Sequence, residues 1–271
     1  MIFPRPWKGH KEFELQKPDT ETILKLGDRA QSGKRYSSLL ALLEGSVASI
    51  DGDEPKDLRE MPLVDAEYVA REAFRLYDIP TLVEGVYGCE RCGHKNIHEE
   101  TAHGDSRDDV ADLDVTFCTH EDLYELELEP GNEVKIIVQE NSKSKTIAEL
   151  NKYTFRDPTM ADMLRIESDS SLKDTSRRVN KLYFMCIVDL DGIVSDGSNV
   201  LDLKNRYMFD LLNFPSFNDW MRIAPLLHTY GMNPFIDVTC EKCGKEFSDP
   251  IDFTGFFVSA LLSQSRKRAA R

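Results

Sequence analysis

No stretch of this chain approaches the roughly 20 consecutive apolar residues that a membrane-spanning helix needs. Its opening residues, MIFPRPWKGHKEF, carry basic side chains but no apolar core of a secretion signal, so neither a membrane span nor a signal peptide is expected. Catalytic signatures are missing too: there is no Ser–His–Asp order, no phosphate-cradling Gly-rich loop and no H-E-x-x-H stretch. Positive charge is short, with 34 Lys and Arg against 48 Asp and Glu and a formal charge of −14. Such a surface repels nucleic-acid phosphate, which disfavours a nucleic-acid role and leaves one basic segment as the exception to weigh. Cysteine is scarce as well, 6 in 271 residues, yet four of the six fall in two C-x-x-C pairs. Without a secretion signal, that usage argues for thiolate–metal chemistry in a reducing compartment rather than for disulfides. The remainder, 41% hydrophobic and 30% charged, is the composition of a soluble globular protein with a full core, in one large domain or two small ones.

The two pairs organise the rest. Cys89-Glu90-Arg91-Cys92-Gly93 and Cys240-Glu241-Lys242-Cys243-Gly244 are both C-x-x-C-G knuckles, turns in which two thiolates can face one tetrahedral zinc ion. The glycine lets the backbone bend tightly behind the sulfurs. The lead-ins match as well. A helix-like run opens at Asp65 and reaches Tyr77, then an extended piece from Leu82 to Tyr87 precedes the first knuckle. A second run opens at Asp219 and reaches Tyr230, and Pro234 to Val238 precedes the second knuckle. A helix–strand–knuckle unit is thus carried twice.

The expected fold class is α+β: two helix–strand–zinc-knuckle repeats with small antiparallel sheets, joined by a polar middle segment. Residues 1–18, with Pro4, Pro6 and Pro18, read as an extended N-terminal arm. Residues 19–138 form the first half. Here Ser37 to Ile50 reads as a leucine-rich helix stopped by Asp51-Gly52-Asp53, and Val69, Ala73, Leu76 and Tyr77 share one face of the next. Asp65 stands near that helix's positive end. Alternation over 113–118, 123–128 and 134–138, with a turn at Pro130-Gly131-Asn132, predicts a small antiparallel sheet. Residues 139–181 are a polar connector with one short helix from Thr159 to Ile166, just after Pro158, and a mobile loop from Ser168 to Asp174. Residues 182–262 form the second half: a strand from Leu182 to Val188, a tight turn at Asp189-Leu190-Asp191-Gly192, the repeat helix and knuckle, and a helical end from Val258. Residues 263–271 are a basic tail.

Which ligands meet is the central question. The second knuckle has no Cys or His after it, and the nearest before it is His228. One all-thiolate site from Cys89, Cys92, Cys240 and Cys243 is the economical solution, because the entropy of closing a loop grows only logarithmically with its length. A separate first site using Cys118 with His98, His103 or His120, or knuckles that hold no metal, are the alternatives. Four thiolates leave no open coordination position, so the ion would be structural. Redox use of C-x-x-C normally places the pair at the start of a helix, whereas glycine and extended residues follow both pairs here.

A second constellation, Ile187 to Val194 around Asp189-Leu190-Asp191-Gly192, is similar to the nucleophile motif of haloacid-dehalogenase-type phosphatases. There Asp189 would attack phosphorus and Asp191 would act as acid and base. That family places Thr where Ile193 stands and needs a long α/β domain after the motif, so a β-hairpin with an Asp-Gly turn is the favoured reading. His94, His98, His103 and His120 cluster near the first knuckle, as exposed polar residues or partners of the ligands.

The order of these motifs carries a resemblance. A leucine-rich helix, a Pro-Leu-x-Asp helix, C-x-x-C-G and an acidic–apolar sheet come first. Arg156 to Asp162 as x-Asp-Pro-Thr-x-x-Asp, an Asp-Gly hairpin, an aromatic-rich helix, Tyr-Gly-x-x-Pro and a second C-x-x-C-G ending in Phe-Phe follow. Over most of residues 15–257 this resembles the baseplate hub and hub-assembly proteins of T-even-type contractile-tailed bacteriophages. The N-terminal arm and the basic tail lie outside that pattern. The resemblance implies a non-enzymatic protein that builds or chaperones the baseplate hub. It would bind other tail proteins, in the cytoplasm of an infected bacterium or in the virion tail. A zinc-ribbon nucleic-acid-binding or regulatory protein is the alternative.

Overall fold

The chain opens with two strands whose large aromatic residues turn inward. Phe3 and Trp7 on Ile2–Trp7 (β1) and Phe13 on His10–Leu15 (β2) are all buried. In the computed structural model of the chain, the two strands form a hairpin around Lys8 and Gly9, whose φ values of 49° and 80° match a two-residue turn of the kind that follows strand twist. The structure describes residues 1–17, 22, 26, 28–29, 32–76, 85–98, 114–118, 124–127, 134–140, 143–150, 152–172, 178, 181–182, 185–190, 230–255 and 257–258. The stretch expected as an extended arm is therefore paired strand. Pro4 and Pro6 do not prevent this, because they sit on the outer strand of the β1-β2-β3 sheet, where a missing N–H is tolerated.

The third strand, Val47–Ile50 (β3), follows helix Arg35–Ser46 (α1) without a loop. The predicted helix continued to Ile50. Instead the backbone turns extended at Val47, and Ile50 pairs with Phe13 while Leu15 pairs with Val47. The β-branched ends of this tetrapeptide bury both their side chains in the sheet, a gain that helix continuation does not offer. The turn at Asp51-Gly52, expected to stop the helix, instead ends strand β3. Asp51 Oδ1 accepts the N–H groups of Lys11 and Glu12 at 3.1 and 2.9 Å.

Helix Leu63–Leu76 (α2) packs against α1, β1 and the short strand Gly231–Met232 (β12). Ala66, Val69, Ala70, Ala73 and Phe74 are fully buried, whereas Leu76 is exposed and Tyr77 lies outside the described residues. Small side chains let the neighbours approach closely. A Cβ at Gly231, whose φ is 91°, would stand 3.0 Å from Val64 Cβ. Asp65 stands in the first turn of the helix, as expected. It is buried, its Oδ1 accepts the Arg5 N–H at 3.0 Å, and its Oδ2 has no hydrogen-bond partner among the described residues. Burial raises its pKa well above the ordinary value and favours the neutral acid.

Three two-stranded sheets complete this part of the molecule. Gly85–Gly88 (β4) pairs with Lys95–His98 (β5), Val115–Thr116 (β6) with β12, and Phe235–Thr239 (β13) with Glu246–Pro250 (β14). The chain divides into two units: Met1–His120 with Tyr230–Arg271, and Glu121–Thr229. The first unit therefore joins the beginning and end of the sequence, and β6 pairs with β12 close to where the chain leaves and returns. This division differs from the expected halves at 19–138 and 182–262.

In the second unit, Tyr124–Glu127 (β7), Lys152–Phe155 (β10) and Ile187–Leu190 (β11) form an antiparallel sheet in the order β11-β10-β7. Val134–Glu140 (β8) pairs with Lys143–Leu150 (β9). Among the described residues the expected partnership of β7 with β8 is not made, and part of the predicted polar connector is strand. Its Lys, Ser and Glu residues hid β9. Helix Met160–Ser168 (α3) begins where predicted, with Thr159 and Asp162 closing a reciprocal capping box. Arg156 grips Asp162 through two bonds of 2.6 and 3.2 Å. At the start of the expected mobile loop, Asp169 pairs with Lys181 and accepts the Ser171 N–H at 3.0 Å. The architecture is α+β with small antiparallel sheets.

Candidate metal centre

Each C-x-x-C-G stretch caps a hairpin, β4–β5 or β13–β14. In the first, Cys89 N–H donates to His94 O at 2.9 Å and Gly93 N–H to Cys89 O at 2.8 Å. In the second, Cys240 N–H donates to Lys245 O and Gly244 N–H to Cys240 O, both at 2.8 Å. Gly93 and Gly244 have φ values of 67° and 66°, the left-handed conformation that closes the turn and that a side chain would strain. Strand registers match position for position: Tyr87 faces Asn96 as Val238 faces Phe247, and Gly88 faces Lys95 as Thr239 faces Glu246.

The two knuckles meet. Cys89 Sγ lies 3.7 Å from Cys243 Sγ, and Cys92 Sγ lies 3.6 Å from Cys240 Sγ. All four sulfurs fall within 4.8 Å of one another. Four thiolates held about 2.3 Å from a tetrahedral ion stand roughly 3.8 Å apart, so this spacing fits one ion at their centre. An all-sulfur tetrahedral donor set suits zinc or iron. Cys89 and Cys240 are buried, while Cys92 and Cys243 are half-exposed.

These contacts are two copies of one arrangement. The first Cys of each knuckle meets the second Cys of the other. The polar side-chain contacts repeat the exchange: His94 Nε2 lies 3.9 Å from Glu241 Oε2, and Lys245 Nζ lies 3.6 Å from Glu90 Oε2. His94 and Lys245 each follow a knuckle glycine, and Glu90 and Glu241 each follow a first Cys. The pairs are surface contacts and contribute little individually. Their value here is as evidence of a local two-fold relation between the hairpins.

Burial opposes ionisation of Cys240. The backbone N–H groups of Cys243 and Lys242, with the neighbouring Cys243 and Cys92 sulfurs, outweigh it and bring the thiol down to about 6. Cys92 moves the other way: the His94 backbone favours its thiolate, but burial and the three neighbouring sulfurs push it up to about 11. Backbone N–H donors thus favour the thiolate form at Cys240.

The other sequence candidates fare differently. Cys118 is not among the four gathered sulfurs, and its N–H donates to Pro4 O at 2.8 Å. His98 occupies a β5 position opposite Gly85, while His103, His120, His228 and the run from Asp219 to Thr229 lie outside the described residues. Among the described residues, the Cys/His/carboxylate group placed to hold a metal is the four-cysteine one. Strands β5 and β14, rather than helices, follow the knuckles, so the setting of a redox C-x-x-C is not found. Asp189 lies within antiparallel β11, opposite Thr154, and Met185 and Cys186 just before that strand are helical, against the strand predicted from Leu182. Asp191 and the predicted turn and return lie outside the described residues.

Sequence reasoning missed one polar residue of the centre. Asn96 is buried, its Oδ1 accepts the Glu241 N–H at 3.0 Å, and its Nδ2 donates to Tyr87 O at 3.2 Å. An Asn in a strand just beyond a metal knuckle was the available signal, and only the meeting of the hairpins gives it meaning. No family model, curated protein or solved structure matches the chain. Among the described residues, no helix is long and apolar enough to cross a membrane.

Proposed function

We propose that Cys89, Cys92, Cys240 and Cys243 hold one structural zinc ion in a non-enzymatic protein that builds or chaperones the central hub of a contractile phage tail baseplate. The observation that supports the zinc is the pair of cross-knuckle sulfur distances, 3.6 and 3.7 Å. A zinc ion with four thiolates has no free position for substrate or water. Bound there, it supplies folding free energy and ties the two hairpins together. The order of motifs over residues 15–257 supports the hub role, and an acidic surface of net charge −14 suits recognition of protein partners by charge and shape. The setting is the cytoplasm of the infected host, where thiolates stay reduced and available for metal.

Two measurements test this reading. Metal analysis of the full chain should return one zinc per molecule, and its absence would remove the structural-zinc reading. Affinity capture of the tagged chain from infected cells should recover hub or other tail subunits. Recovery of no tail protein would remove the assembly role.

A further inference from the structure

The two hairpins repeat one another around the four sulfurs, but the repeat is broken at one buried position. Asn96 on β5 faces Tyr87, and at the matching place on β14 Phe247 faces Val238. Asn96 uses both ends of its amide. Nδ2 donates to Tyr87 O within its own hairpin, and Oδ1 accepts the N–H of Glu241, the residue following Cys240 in the other knuckle. Phe247 can make no such bond. We infer that Asn96 is the positioning residue of the metal centre: its amide docks the second knuckle on the first and thereby sets the affinity of the four-thiolate site. This inference rests on the zinc reading above.

The physical reason lies in which hydrogen bonds tie what together. Each knuckle's other backbone bonds, Cys89 to His94 and Cys240 to Lys245, stay within one hairpin and shape a pair of sulfurs. The polar side-chain contacts that cross between knuckles, His94 with Glu241 and Lys245 with Glu90, involve exposed carboxylates and longer distances of 3.9 and 3.6 Å. The Asn96 bond crosses between hairpins at 3.0 Å from a residue only 4% exposed, so its acceptor end is shielded from water. It fixes the backbone beside Cys240, so the second pair of sulfurs is held against the first before an ion binds. Groups that orient ligands in this way typically change metal affinity by about 10- to 100-fold when removed.

Cobalt(II), whose thiolate complexes are coloured, provides the probe. Titration of the full chain against a competing chelator should show Asn96→Phe, which copies the other hairpin's residue, binding about 10- to 100-fold more weakly. The thiolate charge-transfer intensity should be kept, since all four ligands remain, while the d–d bands shift as the tetrahedron distorts. Combining Asn96→Phe with Phe247→Asn places the amide on the opposite side of the two-fold, facing Glu90, and should recover much of the loss. Wild-type affinity in Asn96→Phe, or loss with no recovery in the swapped variant, overturns the inference. Should the variants fold poorly, amide exchange on the zinc-loaded wild-type chain decides: a slow Glu241 N–H is expected, and a fast one overturns it. A wild-type chain that binds no cobalt at all removes the zinc reading itself.

Discussion

Cys89 Sγ stands 3.7 Å from Cys243 Sγ although 154 residues separate them in the chain. Bringing them together costs little more entropy than closing a far shorter loop, about 0.6 kcal/mol per doubling of length. The sulfurs also do not bear that closure alone. Gly231 pairs with Thr116, the Phe74 and Phe257 rings lie 5.2 Å apart, Thr254 donates to Glu67 at 2.8 Å, and Arg35 pairs with Asp252. The returning end of the chain is fastened to the first unit at several points, of which the metal centre is one.

Cys240→Ser should reduce bound zinc from about one per chain to nearly none, because a tetrahedral site with three thiolates and a hydroxyl binds zinc poorly. Metal analysis after gel filtration checks this. Retention of a full equivalent would show that the two sulfur pairs act separately. A chelator should lower the thermal midpoint of the wild type and leave that of Cys240→Ser nearly unchanged, since only the wild type has bound metal to lose.

Phe257→Ala removes a fully buried ring from against Phe74 and should destabilise the first unit by about 3–5 kcal/mol. Denaturant unfolding followed by fluorescence measures it. The same variant should bind metal more weakly, since the segment that follows the second knuckle loses its anchor on α2.

Glu67 titrates near neutrality. Burial raises its carboxyl from 4.5 to about 7, the Thr254 hydroxyl opposes that rise, and the Asp252 carboxylate adds to it. Between these two values the folded chain holds a proton that the unfolded chain has released, so stability falls as pH rises from about 4.5 to about 7. Glu67→Gln keeps an acceptor for Thr254 and has no charge to bury. Thermal midpoints of the two proteins should differ least at pH 4.5 and below, with the variant gaining steadily up to pH 7. A difference independent of pH would count against this.

Thr159→Ala removes the side-chain acceptor for the Asp162 N–H at the start of α3 and should cost about 1 kcal/mol. Asp162→Ala should cost more, because it also strips the Arg156 guanidinium of its carboxylate. Neither residue touches the metal centre, so zinc content should stay unchanged in both variants, and a loss of zinc would show the two units to be coupled.

By itself the sequence determined what short-range chemistry decides. The two knuckles, their glycines at positive φ, the cap of α3 and the burial of α2's alanine-rich face all follow from residues within a few positions of one another. The tertiary structure decided the rest. Val47 to Ile50 left helix for strand because Phe13 and Leu15 were there to pair with, and β9 formed from a polar stretch because β8 lay beside it. Asp65, in the first turn of α2, became a buried acid because the elements packed around it exclude water, while the Arg5 N–H remains to bind its carboxyl. Above all, that Cys92 should meet Cys240, and that Asn96 should reach across to Glu241, depends on contacts made only once distant strands come together. The sequence already favoured one site from Cys89, Cys92, Cys240 and Cys243; which sulfur meets which was left to the tertiary structure, because local propensity carries no information about which distant partner a side chain will find.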